Sequence, residues 1–163
     1  MPYPTIETYP YLKLELGSLS VTLKNLPSYS RKLLQGAKID YSFSGNAFIK
    51  RTPHESKYLW NVTVLASWDA RNQFLSIVKL ADSKIFVPPF DGYKITLSDV
   101  FLSMVESVAT RPVADTFTNT QTGYIEYFAK FLVGIDLSSI DQKAMGELVE
   151  LSFVMNELEK LTA

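Results

Sequence analysis

The chain has 163 residues, 47% of them hydrophobic and 20% charged, which is too apolar for disorder and too interrupted for a membrane span. That length suits one domain, and it can bury roughly 70% of its unfolded surface without disulfide or metal support. Zero cysteines exclude thiolate chemistry, a lone histidine (His54) excludes any site needing two imidazoles, and a net charge of -1 gives no reason to expect nucleic acid or an anionic membrane as main partner.

Aromatic residues make up 13%, with nine Tyr and ten Phe, while the seven glycines fall below the roughly 7% average. That balance points to strands and buried surface rather than phosphate-cradling loops. Charge is spread unevenly: residues 1–94 carry 12 Lys/Arg against 7 Asp/Glu, and residues 95–163 carry 4 against 10. If the halves lie on opposite faces, the molecule has a polarity suited to head-to-tail stacking. If they interleave in space, it has none.

Residues 1–11 read as an extended arm rather than a targeting signal, because Pro2, Pro4 and Pro10 forbid helix and there is no basic or apolar leader region. Tyr3, Ile6, Tyr9 and Tyr11 decorate that arm, which lies across its own domain or reaches a neighbour. Residues 12–163 read as a single β-rich domain. Its first signal is a hairpin: Leu12, Leu14 and Leu16 alternate with polar residues, as do Leu19, Val21 and Leu23, and Gly17-Ser18 between them fits a type II′ turn. The register pairs Leu16 with Leu19, Leu14 with Val21 and Leu12 with Leu23, placing six apolar side chains on one face.

Ile39, Tyr41 and Phe43 start a second pair that resumes at Ala47-Phe48-Ile49, with Gly45 reading as a bulge or a close backbone approach. Tyr58, Trp60, Val62, Val64, Ala66 and Trp68 then hold one face of a strand, both tryptophans turned to the core. Asp69 caps a helix over about 69–82, with Phe74, Leu75, Ile77, Val78 and Ala81 on its apolar side. Lys84–Val87 reads as a short strand ended by Pro88-Pro89, and Phe90-Asp91-Gly92 as a turn. Tyr93, Ile95 and Leu97 begin another strand, which Val100, Leu102 and Met104 extend across Ser98-Asp99. Residues 107–122 read as a Ser/Thr-rich loop, and Tyr124–Ile135 as a strand. The last segment is ambiguous. Ala144, Leu148, Leu151, Met155 and Leu158 have helical spacing, whereas Val149, Leu151, Phe153 and Met155 alternate as a strand would.

Sites that carry chemistry are scarce. His54 sits in a Pro-His-Glu turn with no nucleophile or orienting group marked beside it, and no phosphate-binding loop, nucleophile elbow or zinc-ligand spacing is present. Glu147, Glu150, Glu157 and Glu159 read as a solvated face. No catalytic, cofactor-binding or metal-binding residue is therefore assigned, and polar residues fall where a half-buried sheet puts them. This favours a binding or structural protein over an enzyme.

The stretch from Tyr41 to Leu80, with Ser44-Gly45 on one strand, Tyr58-Leu59-Trp60 on the next and a helix from Asp69, resembles small tail and baseplate proteins of tailed bacteriophages, of the minor-tail or distal-tail type. Tyr93–Phe101 is similar to the strand after the helix in such proteins, and Val149–Leu161 to their final strand. The chain lacks a longer C-terminal domain of that family, which bears on any receptor-binding role. The resemblance implies a virion tail subunit, cytoplasmic during assembly, that works as a homo-oligomeric ring with other tail or baseplate proteins. It implies no nucleic acid, membrane, cofactor or small-molecule substrate, and it tips the C-terminal segment toward strand. The expected fold is mainly β (α+β), an antiparallel sandwich or partly open barrel with one packed helix. Tyr3, Tyr9, Phe86, Phe90 and Tyr93 are the candidate contacts. For Phe86 and Phe90 the competing reading is core residues flanking a proline turn. Two other functions compete with assembly: a ligand-binding β-module with an aromatic-lined cavity, and a small enzyme using His54.

Overall fold

Alternating apolar and polar side chains build most of the strands in the computed structural model, which describes residues 10–33, 38–50 and 57–162. The arm tyrosines Tyr3 and Tyr9, and His54, lie outside the described residues. In chain order the elements are β1 (Leu12–Leu16), β2 (Leu19–Leu23), β3 (Ser28–Leu33), β4 (Lys38–Tyr41), β5 (Ala47–Lys50), β6 (Tyr58–Ser67) and helix α1 (Trp68–Ser83). There follow β7 (Ile95–Asp99), β8 (Met104–Glu106), β9 (Val113–Gln121), β10 (Tyr124–Ile135), a 3₁₀ turn (Leu137–Ser139), β11 (Asp141–Met145) and β12 (Leu148–Glu159).

Ten of the strands form one open antiparallel sheet in the order β2-β1-β7-β10-β12-β6-β3, with β8 and β9 joined to β10 and β11 joined to β12. β4 and β5 form a separate two-stranded hairpin. The fold is mainly β, as expected, with one α-helix among the described residues. The sheet curls on itself: Trp60 of β6 meets the Phe131 ring of β10 at 4.9 Å across the intervening β12. The two sequence halves interleave in this order, since β7, β10 and β12 lie between β1–β2 and β6–β3. The two halves therefore do not sit at opposite ends of the sheet.

The concave side carries the core. Leu12 and Leu14 of β1, Trp60, Val62 and Val64 of β6, Ile95 and Leu97 of β7, Phe131 and Val133 of β10, and Leu151, Phe153 and Met155 of β12 are all buried. The β1–β2 register is the one the turn chemistry predicts, with Leu16 opposite Leu19, Leu14 opposite Val21 and Leu12 opposite Leu23. Gly17 supplies the required positive φ of 60°. Helix α1 seals the concave side by laying Phe74, Ile77 and Val78 on it, with the Phe74 ring 4.6 Å from Phe153. Burying each such side chain stabilises by about 1.5–3 kcal/mol.

Several expectations change. The helix N-cap is Ser67, whose hydroxyl accepts from the Ala70 N–H at 3.2 Å, and Asp69 sits inside the first turn. Starting the helix at Trp68 swings that side chain off the strand face. It is 45% exposed and its indole N–H donates to the Gly146 carbonyl at 3.0 Å, so only Trp60 belongs to the core. Gly45 makes neither a bulge nor a close approach: it holds φ 84° in the β4–β5 turn, with open space where a Cβ would stand.

Lys84–Val87 is a run of turns, not a strand, and residues 107–122 contain β9, a nine-residue strand paired with β10. The strand from Ile95 stops at Asp99, because its carboxylate Oδ1 accepts the Phe101 and Leu102 N–H groups and turns the chain. Residues 148–159 are strand, held by nine consecutive pairings with β6 from Leu148 opposite Ser67 to Asn156 opposite Leu59.

Candidate functional site

Two places on this fold collect unusual side chains: an apolar loop after the helix, and a buried polar network on the concave side.

The loop begins where α1 runs out. The Lys84 N–H closes on Ala81, Ile85 on Asp82, Val87 on Lys84, Phe90 on Val87 and Lys94 on Asp91, so the backbone is satisfied by successive turns. A cis Pro88-Pro89 bond sits inside the Val87–Phe90 turn. Because the backbone needs nothing from the sheet, the side chains are free to project. Phe86 is 88% exposed and Phe90 58%, with Ile85, Val87 and the neighbouring Leu137 exposed as well. The reading of Phe86 and Phe90 as core residues is thereby overturned. The proline turn carries them outward rather than under the sheet. Phe90 also holds φ 68°, a left-handed conformation that costs a bulky residue about 1–2 kcal/mol.

Beside the loop lies a cleft of about 60 Å³, lined by Val78, Ala81 and Asp82 of the helix, Ile85, Tyr93 and Ile95, and Gly134, Ile135 and Leu137. Tyr93 is half-buried in its wall. At Gly134 a Cβ would come within 3.2 Å of the Leu158 side chain, so this stretch of β10 packs closely because it has no side chain. Next to the loop, Lys94 donates to Glu159, and that hydrogen bond raises the ammonium pKa. Of the sequence candidates, Phe86, Phe90 and Tyr93 thus share one surface.

Sequence reasoning missed the polar network entirely. Its first half centres on Asp99, fully buried at the end of β7. Oδ2 accepts from Arg31 Nη1 at 2.9 Å, from Trp60 Nε1 at 3.0 Å and from the Tyr29 hydroxyl. Arg31 also donates to the carbonyls of Leu102 and Ser103, both at 2.9 Å, which ties the outermost strand β3 to the β7–β8 connection. Burial and then the Asp99 charge push the Tyr29 phenol well above its ordinary range.

The second half pairs buried Arg111 with buried Glu157, Nη2 to Oε2 at 3.2 Å, while Glu157 Oε1 accepts the Tyr58 N–H at 3.2 Å. Glu157 is therefore not part of a solvated face. The guanidinium carbons of Arg31 and Arg111 both lie over the rings of Tyr58 and Phe131, at 5.1 to 5.8 Å from the centroids. Two like charges thus share one aromatic pair, each neutralised by its own carboxylate.

Glu106 extends this half to the surface. It accepts from the Thr110 N–H at 3.0 Å, the Thr110 hydroxyl at 2.9 Å and the Tyr127 hydroxyl at 3.0 Å, with Arg111 at 3.6 Å. Burial pushes the Glu106 carboxyl upward, but these donors and the Arg111 charge outweigh it, and the net pKa is lowered. A lowered folded pKa gives stability that is present above the unfolded value of about 4.3 and is lost as pH falls through the folded one. Glu106→Gln is expected to cost about 1–3 kcal/mol at pH 7, with the gap to wild type narrowing in urea titrations as the pH falls through the lowered folded value. A gap that keeps its size over that fall in pH would contradict the assignment.

Chemically, the network is committed to holding the fold: both Asp99 oxygens and both Glu157 oxygens accept protein donors. Among the described residues no group of three or more His, Cys, Asp or Glu side chains could hold a metal ion, and no helix is long and apolar enough to cross a membrane. No protein-family model matches the chain, and no curated protein matches it. The Ile85–Tyr93 loop is an exposed apolar surface open to recognition.

Proposed function

We propose that this chain is a structural subunit that works by assembly, through the Ile85–Phe90 loop, in a phage tail or tail-like particle with copies of itself and neighbouring tail proteins. The observation that carries the assembly reading is the exposed cluster of Ile85, Phe86, Val87, Phe90 and Leu137. With aromatic side chains presenting 150–250 Å² each, that cluster offers roughly 500 Å² of apolar surface, the size at which patches on monomers are often functional. Phe90 is exposed and holds the left-handed φ of 68°, a conformational cost of the kind that collects at functional sites. The tail setting rests on the sequence resemblance.

The ligand-binding alternative draws little support from the cleft. At about 60 Å³ it falls far short of the roughly 300 Å³ at which small-molecule pockets begin. Light scattering across a concentration series tests the assembly reading. Wild type is expected to exceed the 18.4 kDa of one chain, and Phe86→Asp with Phe90→Asp to return to it with an unchanged melting temperature. A variant that keeps the wild-type mass, or a wild type that never exceeds one chain, would overturn it.

A further inference from the structure

β10 runs twelve residues, roughly 36 Å along the strand at about 3.3 Å per residue. Its C-terminal end leads into the apolar loop's neighbourhood, through Gly134, Ile135 and Leu137 at the cleft. Its N-terminal end carries a second apolar surface. There β10 is flanked by β8 and β9, with Val105 opposite Glu126 and Tyr124 opposite Gln121. By the two-residue period of a strand, Val105, Glu126 and Tyr124 share one face, while Met104 and Tyr127 point to the buried side. Val105 is 64% exposed, Tyr124 59%, and Val108 in the adjoining loop 67%. Among the described residues nothing covers these side chains, and the assembly reading so far makes no use of them.

We infer that this strip, Val105, Val108 and Tyr124, is the docking surface for the Ile85–Phe90 loop of a second copy, so that copies join head to tail along the β10 direction. The inference rests on the assembly reading and adds the partner surface to it. Area supports it. The strip offers roughly 330 Å² and the loop roughly 500 Å² of apolar surface, and an interface about 60% apolar built from both would bury roughly 1,400 Å², within the standard range for specific complexes.

Placement supports it too. The loop adjoins the C-terminal end of β10 and the strip its N-terminal end, so the two surfaces are set apart for a head-to-tail join. The loop's own cleft cannot receive the Phe86 ring from a second copy, because an apolar cavity that takes benzene is about 150 Å³ and this cleft is about 60 Å³. Two different surfaces meeting make a heterologous contact, which closes into a ring or runs on as a filament.

Complementation of two single-surface variants tests this. Phe86→Asp removes the loop surface and Val105→Asp the strip, with Tyr124→Glu as a second strip variant should Val105→Asp unfold. Circular dichroism melts check that each is folded. Each variant alone is expected to weaken self-association on the order of 30-fold or more and to sediment as one chain of 18.4 kDa. Mixed in equal amounts, a loop variant and a strip variant each keep one good surface and should form a two-chain complex and nothing larger.

Three outcomes overturn the inference: folded strip variants that keep the wild-type mass, a variant that still forms dimers alone, or a mixture that stays at one chain. The first of these, with loop variants reduced to one chain, leaves the assembly reading standing and sinks only the head-to-tail partner. Loop variants that keep the wild-type mass sink the assembly reading itself.

Discussion

Replacing Asp99 by alanine is expected to destabilise the protein by at least about 4 kcal/mol, enough to lower the melting temperature by roughly 10 °C or more in a chain of this size. The carboxylate lies fully buried and accepts from five donors: Arg31, Trp60, Tyr29 and the N–H groups of Phe101 and Leu102. Its removal strands a guanidinium that is itself buried, and breaking a buried pair from one side costs about 3–5 kcal/mol. The indole and phenol donors add to that loss. Asp99→Asn should give little rescue. Whichever way the amide is turned, its NH₂ group faces donors, either the backbone N–H pair on one side or Arg31 and Trp60 on the other. Urea titrations of wild type, alanine and asparagine variants at pH 7 decide the matter. A loss below about 1 kcal/mol for alanine would mean that the network is ornamental to the fold.

Where local turn chemistry and side-chain alternation agree, the sequence is enough to read the fold, and the β1–β2 hairpin is the example. Gly17-Ser18 fixes the register, and the leucines and Val21 then have only one face to share. The C-terminal strand is harder, because Leu151 and Met155, four apart, satisfy helical and strand periods alike. What decides is not local: Trp60, Val62, Val64 and Ala66 of β6 stand opposite Met155, Phe153, Leu151 and Val149 in one unbroken register. β9 escaped notice because its Val113–Gln121 run is rich in Thr and polar residues, which read as loop although Thr is β-branched and suits a pleated edge. β3 is an outermost strand with a polar sequence, and it carries no stripe to find.

The exposure of the loop was only half legible. Reading Lys84–Val87 as a strand offered Phe86 a buried face, whereas successive turns hold the backbone there and leave Phe86 and Phe90 exposed. The polar network was not legible, since Arg31 and Asp99 are 68 residues apart and Arg111 and Glu157 are 46 apart. A signal was nonetheless present. Asp99 continues the core-facing alternation of Ile95 and Leu97, and Glu157 continues that of Val149, Leu151, Phe153 and Met155. A carboxylate in phase with a buried stripe must find a cation, and the chain's scarce arginines are the candidates.

That reasoning makes a second strong prediction, at Arg111 and Glu157. Either single replacement, Arg111→Met or Glu157→Leu, should cost about 3–5 kcal/mol, because each leaves the other charge buried without its partner. The double replacement should cost less than either single one. Arg111 already has a buried Nε with no hydrogen-bond partner, its guanidinium lies over the rings of Tyr58 and Phe131, and Glu157 is buried beside it, a setting that methionine and leucine can fill. What the double variant still loses is the acceptor for the Tyr58 N–H and the cation beside Glu106, together worth about 1–2 kcal/mol. A double-mutant cycle by urea unfolding at pH 7 reads the coupling directly. Costs that simply add would mean the two charges are solvated independently of each other. A strongly favourable coupling would mean that the pair holds β12 to the 106–111 turn as a matched charge, at a position where an apolar pair would serve stability as well.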